Sequence, residues 1–597
     1  MPLRSPLRFA PAQVAVERRA DGTTILRSPQ RLEPYARAVG DWLVEWGARA
    51  PLRVFLAERS GAGWRRVTYA EALDAVRRIG QALLDFGLDA SRPVAILSDN
   101  SVEHALLALG AMHAGIPVAP VSPAYSLASR DFGKLKAIFE LVRPGLVYAA
   151  DGARFAPALR AVPRADATLV FGANPPADLP ALPFSALLEA TPGARLDAAF
   201  ARIGPDTVAK ILFTSGSTGV PKGVVNTQRM LCASQQMLAQ GWPFVEERPP
   251  VLVDWLPWNH TFGGNHNFHL VLRNGGTLYV DGGKPMPGLV ETTVQNLREI
   301  SPTMYFNVPR GFDLLLPHLE ADAELRRNFF RELDLVFYAG AALPQNLWER
   351  LERLASEEKG GALAMLSAWG STETSPLATQ VHFPIERSGV IGLPVAGCEL
   401  KLVPSGAKFE VRVRGPNVTP GYWRREDLTR AAFDEEGFYR IGDAVRFADP
   451  SDPCKGLVFD GRVAEDFKLT TGTWVNTGAV RVRLIAAANP LVQDAVITGH
   501  DRDEVGALVF LSPAAKDLPP EAVRAHLAKA LAALAAEGGS SSYPARLLVL
   551  DEPPSIDANE ITDKGYINQR AVLERRAQAV ERLHAEPPPA EAIVLAR

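Results

Sequence analysis

Short apolar segments that end in polar turns and lead into helical stretches recur along most of this chain, and that alternation constrains the fold more than any other feature. Val94-Ala-Ile-Leu97 is the type example, apolar on both faces and ending in Ser98-Asp99-Asn100. Asn100 reads as an N-cap with Glu103 three residues on, a capping-box pattern, and the helix it opens is predicted over Val102–His113, stopping at Gly115. Ile116-Pro-Val-Ala-Pro-Val121 begins the next strand, and further strands are predicted over 146–149, 209–213, 251–256, 277–280 and 333–338. Strands apolar on both faces and separated by helices argue for parallel sheets covered on both sides. The expected fold class is therefore α/β.

At 597 residues the chain exceeds the usual size of one hydrophobic core. The alternation gives way near residue 460, after the β-rich stretch Phe409-Glu-Val-Arg-Val-Arg414. Beyond it come short strands, an Ala-rich amphipathic helix over 521–537 and the loop Gly538-Gly-Ser-Ser-Ser542. The division expected is a large N-terminal domain over residues 1–461, of stacked α/β sheets plus a β-rich subdomain, and a small mobile α+β C-terminal domain over 462–597. The first forty or so residues are irregular and rich in Pro and Arg, and no fixed-period repeat is present.

A net charge of −3 provides no basic field, so neither nucleic acid nor an anionic membrane is expected as partner. The three cysteines, Cys232, Cys398 and Cys454, are too scattered for a metal motif or disulfide framework, which fits a reducing compartment. The first residues lack a secretory apolar core, and no apolar run is long enough to span a membrane. A cytoplasmic globular enzyme, monomeric or homodimeric, is the expectation.

The strongest local signal is Ile211-Leu-Phe-Thr-Ser-Gly-Ser-Thr-Gly-Val-Pro-Lys-Gly223, a strand running into a loop of glycines and hydroxyls with one lysine. Gly216 and Gly219 let the backbone approach a phosphate, and Thr214, Ser215, Ser217 and Thr218 can donate to phosphoryl oxygens. Lys222 supplies a point charge. Lys222 precedes its glycine with no Ser/Thr after it, so this is not a Walker A loop. A flexible surface linker is the plain alternative, and the apolar strand before the loop argues against it.

These residues resemble the phosphate loop of the adenylate-forming superfamily, the acyl-CoA synthetases, luciferases and peptide-synthetase adenylation domains, and other segments from about residue 40 to 575 follow in that family's order. Trp369-Gly-Ser-Thr-Glu373 is similar to its aromatic-Gly-x-Thr-Glu motif. An aromatic there can stack on adenine, Thr372 can bond the α-phosphate, and Glu373 offers a hard oxygen ligand for Mg²⁺. Gly370 and Ser371 belong to the same nucleotide segment, and Trp369 stands where relatives usually carry Tyr. Gly340-Ala341-Ala342 matches a segment lining the adenine and acyl pockets. Tyr439-Arg-Ile-Gly-Asp443 resembles the motif whose aspartate accepts both ribose hydroxyls. Taken singly, Asp443 reads as a turn residue and Glu373 as a helix N-terminal carboxylate.

Asp460-Gly-Arg462 resembles the hinge between the domains, with Arg462 on the ribose or phosphates, Ala464 at the usual pivot position and Gly472 on a pantetheine channel. Asn559-Glu-Ile-Thr-Asp-Lys564-Gly lies where the family places its C-terminal catalytic lysine, although relatives more often have the glycine first. Lys564 would reach the carboxylate and α-phosphate as charge builds during adenylation. Leu256-Pro-Trp-Asn-His260 resembles the segment that gates the acyl pocket. His266 and His269 fit one helical face but have no carboxylate or cysteine beside them, so a metal is not expected there.

The resemblance implies ATP and coenzyme A as co-substrates, Mg²⁺ as metal, and an acid activated as acyl-AMP and passed to a thiol. The segments Glu465-Asp-Phe-Lys-Leu469, Thr473-Trp-Val475 and Asn559 to Arg570 are similar to bacterial feruloyl-CoA synthetases, which implies a hydroxycinnamic or related aryl acid. The pocket is expected among 258–266, 307–311 and 340–342, with Asn265 or Asn307 either bonding a ring substituent or serving structure. Three rivals stand beside this: a medium- or long-chain fatty acyl-CoA ligase, a peptide-synthetase adenylation module, and a non-enzymatic nucleotide sensor. Gly538-Gly-Ser540 only faintly echoes a carrier domain and lies upstream of Lys564, and a sensor need not retain Glu373 and Lys564 together.

Overall fold

The computed structural model describes residues 7–164, 166–215, 220–361, 363–406, 408–516, 518–562 and 565–595. Parallel strands built from the apolar segments form the centre of a seven-stranded sheet, with Val94–Leu97 between Val118–Val121 and Leu146–Asp151. Val208–Ser215 pairs with Val118–Val121 at Lys210, and Pro221–Thr227 closes that edge antiparallel. A four-stranded sheet holds Val251–Asp254, Thr277–Val280 and the hairpin Val54–Ser60 with Gly63–Thr68. An eleven-stranded mixed sheet runs from Ala15–Arg18 to Met304–Asn307. Its parallel end consists of Met304–Asn307, Leu335–Tyr338 and Ala364–Gly370, and the alternating segment Lys408–Arg414 pairs antiparallel with Tyr439–Phe447.

The α/β expectation holds, with a larger N-terminal and a smaller C-terminal domain. From Phe467 onward the chain buries two apolar clusters of its own, one around Leu484, Val509 and Leu527 and one around Leu508, Val572 and Leu583. Each such side chain removed from water contributes roughly 1.5–3 kcal/mol. The first packs the sheet of Val492–Thr498, Gly506–Leu511, Arg546–Val549 and Ile593–Val594 against the helices Thr477–Ala487 and Pro520–Glu537, and the second packs it against Gln569–Arg575 and Ala577–Leu583.

One cap expectation is corrected. The helix Val102–His113 is capped by Ser101, whose hydroxyl accepts from the His104 amide at 3.1 Å, not by Asn100. Asn100 is drawn away because its amide spans two backbone groups elsewhere, donating to Leu256 O at 2.9 Å and accepting from Trp258 N at 2.9 Å. Glu103 pairs with Arg65 instead of closing a capping box.

Candidate active site

The strand Val208–Ser215 and its partner Pro221–Thr227 form a hairpin with Thr214 opposite Lys222 and Ser215 opposite Pro221. Gly216, Ser217, Thr218 and Gly219 lie outside the described residues, as does the side chain of Ser215. Lys222 thus stands in a strand at the hairpin mouth, where its direction is set by the ladder. The segment Gly421–Trp423 adds to that edge: Val225 N donates to Gly421 O at 3.1 Å and Trp423 N to Gly223 O at 2.7 Å. This places the Tyr422 ring 5.2 Å below Lys222 Nζ. The Tyr422 hydroxyl donates to Glu373 Oε1 at 3.1 Å and lies 3.4 Å from the Tyr439 hydroxyl.

Glu373 is carried by the short turn Thr372–Thr374 that follows the strand Ala364–Gly370, with Ser371 Oγ accepting the Glu373 amide at 3.2 Å. Gly370 is required between them, since a Cβ there would collide with the Pro376 carbonyl. From the same strand Trp369 donates its indole N–H to Asp443 Oδ2 at 2.9 Å. The Tyr-to-Trp departure therefore keeps a polar contact as well as an aromatic face. Asp443 is buried, and burial raises its pKa while the Arg462 charge and the Trp369 hydrogen bond hold it down. Arg462 Nε stands 3.0 Å from Asp443 Oδ1 as a charge pair without hydrogen-bond alignment, so this buried oxygen has no hydrogen-bond partner among the described residues. A buried acceptor with free lone pairs is costly unless a ligand completes it.

Sequence-distant Lys222, Glu373, Trp369, Asp443 and Arg462 are thus brought together. Tyr422, which joins two of them, was not identified from sequence; it lies between Pro420-Gly421 and Trp423, and its signal is geometric.

Around the segment 256–260, Asn100 pins the backbone on either side of Pro257, and His260 follows with its N–H on Pro257 O at 3.1 Å and Nδ1 accepting from Phe262 N at 3.3 Å. The next turn, Phe262–Asn267, is π-helical, a form that often marks functional sites. His266 is buried against Phe306 and Phe337, and burial lowers its pKa to about 4. Asn307 is engaged by Trp255, Val308 and Tyr305, whereas Asn265 donates to Asn226 and Thr261 and its buried Oδ1 has no hydrogen-bond partner among the described residues.

Lys210 links the two regions: on the strand Val208–Ser215, its ammonium donates to Gly264 O of the π-turn at 2.7 Å. Burial lowers its pKa from 10.5 to about 7. Between those values the unfolded chain binds one proton more than the folded one, so stability rises with pH there, and the cost of burying the charge is complete below about 7. Lys210→Met is therefore expected to raise the melting temperature relative to the parent more at pH 6 than at pH 9. Scanning fluorimetry across that range checks it; a pH-independent difference would contradict it.

Lys564 lies outside the described residues, but its flanks are placed. Ile561 bridges Ile567, Tyr566 N donates to Thr562 Oγ1 at 3.1 Å, and the Tyr566 hydroxyl rests on Gly340. Gly340 has φ +85°, and a Cβ there would come within 2.5 Å of that hydroxyl. Gly340, Ala341 and Ala342 are exposed. Gly472 stands apart from this cluster, at the turn between Phe467–Lys468 and Trp474–Val475.

Among the described residues no group of three His, Cys, Asp or Glu is poised for a metal. Glu373 is a single carboxylate, and Mg²⁺ is commonly held by one or two carboxylates plus substrate phosphates. Among the described residues no helix is long and apolar enough to cross a membrane.

The fold is shared with a known adenylation domain. Over 92% of this chain and 92% of the other, it superposes with TM-score 0.74 at 20% identity on the adenylation domain of a carboxylate reductase from Mycobacterium chelonae. Residues 43–423 match the AMP-binding enzyme family and residues 467–587 the AMP-binding enzyme C-terminal domain, and the chain belongs to that family. A carboxylic acid reductase of Segniliparus rugosus is 25% identical over 64% of this chain and 33% of its own length. A long-chain-fatty-acid–CoA ligase of Escherichia coli O6:H1 is 32% identical over 40% of this chain and 44% of its own. The chain therefore spans less than half the length of these two relatives.

Proposed function

We propose that this chain is an ATP-dependent acid:CoA ligase that forms an acyl-adenylate and then an acyl-CoA. The observation that carries it is the meeting of Lys222, Glu373 and the half-satisfied Asp443 in one site. A carboxylate does not react with a thiol because oxide is a poor leaving group. Attack of the acid oxygen on the α-phosphorus of ATP expels pyrophosphate, and thiol attack on the acyl-AMP then expels AMP. Thr218, the glycines around it and Lys222 hold the departing pyrophosphate, Thr372 the α-phosphate, Asp443 and Arg462 the ribose, and Trp369 the adenine. His260 gates the acid pocket. When bound, Mg²⁺ on Glu373 supplies charge neutralisation to the phosphates. Lys564 delivers charge to the acid and α-phosphate, and the small domain, taken to begin at 462, turns to admit the thiol past Gly472.

The acid is proposed to be aryl, of the hydroxycinnamic type, on the wording of 465–475 and 559–570. The fatty-acid ligase relative supports the rival reading, a long acyl chain. Pyrophosphate release across aryl and fatty acids, with and without coenzyme A, separates them. Release driven by aryl acids, with acyl-CoA appearing only when thiol is present, is expected. Release driven only by fatty acids would replace the aryl reading, and no acid-dependent release would remove the ligase.

A further inference from the structure

The small domain also touches the large one through the loop 555–560, and the contacts are polar and directional. Asp557 Oδ1 accepts from Ser129 Oγ at 2.7 Å and Oδ2 from Arg130 N at 3.0 Å. Lys134 Nζ, at the start of the helix Gly133–Val142, donates to Ile556 O at 2.8 Å and to Asn559 Oδ1 at 3.2 Å. The loop is held in shape from its own side. Glu560, fully buried, accepts from Arg575 at 2.6 Å, Arg576 at 2.7 Å and Ser555 N at 2.9 Å. Its tip therefore meets the large domain as a preformed surface carrying a carboxylate and two carbonyl oxygens, opposite a hydroxyl, an amide and an ammonium.

Asn559 and Glu560 open the segment that holds Lys564, and Tyr566 beyond it rests on Gly340. The clasp and the Tyr566 contact thus bracket that segment in sequence, and both tie its described flanks to the large domain.

Resting on the ligase reading above, we propose that Asp557 and Lys134 form a positioning clasp that sets how long the small domain stays in the acid-adenylating arrangement, and so divides time between the two half-reactions. Neither residue touches the reacting atoms; the clasp acts through the segment bearing Lys564. Charge-assisted hydrogen bonds are the strongest of their kind; removing the Asp557 carboxylate deletes the two it accepts from Ser129 and Arg130 and leaves those of Lys134 to Ile556 and Asn559.

The test compares the parent, Asp557→Ala and Asp557→Asn. Acid-dependent ATP–pyrophosphate exchange is expected to fall about tenfold in Asp557→Ala, the effect of losing its bonds to Ser129 and Arg130, while acyl-CoA formation from supplied acyl-adenylate stays within about twofold or quickens. Asp557→Asn, which keeps one acceptor oxygen, should recover part of the exchange. Amide hydrogen exchange should show 555–560 losing protection in Asp557→Ala while the helix Gln569–Arg575 keeps it. Parallel loss of both half-reactions, no change in either, or unaltered protection of 555–560 would overturn the clasp. A parent protein without acid-dependent exchange would instead overturn the ligase reading, and the protection of 555–560 would still decide whether the clasp exists.

Discussion

Lys564→Ala is expected to lower acid-dependent pyrophosphate exchange by about 10²–10³-fold while leaving acyl-CoA formation from supplied acyl-adenylate within a few-fold of the parent. Charge concentrates on the α-phosphate and the attacking carboxylate only during the first half-reaction. A cation aimed there stabilises that transition state and has nothing comparable to neutralise when a thiol displaces AMP. The flanking residue Tyr566 has its hydroxyl on Gly340, on the face where Gly340, Ala341 and Ala342 are exposed. Measuring each half-reaction separately in the variant checks it. An equal loss in both would refute the division of labour.

Glu373→Gln is expected to cost a comparable factor, about 10²–10³, in the adenylating step, with partial recovery at raised magnesium concentration. The substitution keeps the side chain's size and its ability to accept from the Tyr422 hydroxyl, which sits 3.1 Å from Oε1. What it removes is the buried negative charge, the one feature a hard cation needs. Tyr422→Phe is the control: it deletes the hydrogen bond and keeps the carboxylate, so a loss no greater than about tenfold is expected. Steady-state kinetics over a magnesium titration distinguish the two. A Glu373→Gln enzyme with unchanged magnesium dependence would remove the metal role from Glu373.

What the residues disclosed in advance was whatever local chemistry determines. The helix Val102–His113 and the strand Thr277–Val280 were legible because apolar runs and polar stops are read residue by residue. The pairing of Lys222 with Tyr422 was not, because it depends on the edge strand at Pro221–Thr227 receiving Gly421–Trp423 from about two hundred residues away. The Asn100 cap failed for a similar reason. A side-chain amide satisfies whichever backbone groups the tertiary fold brings to it, and here those belong to Leu256 and Trp258 rather than to its own helix. Glu373 and Asp443 were named from motifs, yet the sequence could not show that Trp369 and Tyr422 would fix their carboxylates. Asn307 and the side-chain N–H groups of Asn265 are engaged by the scaffold through contacts that no spacing rule foretells.

The central claim is that segments from Thr214 to Lys564 enclose one nucleotide whose α-phosphorus meets the acid. A crystal structure with a non-hydrolysable ATP analogue, magnesium and an aryl acid tests it most directly. The account predicts the ribose hydroxyls on Asp443, the metal on Glu373, the terminal phosphates against the hairpin of Thr214 and Lys222, and the acid oxygen beside the α-phosphorus. A nucleotide bound elsewhere, with Asp443 and Glu373 contacting only protein, would contradict it.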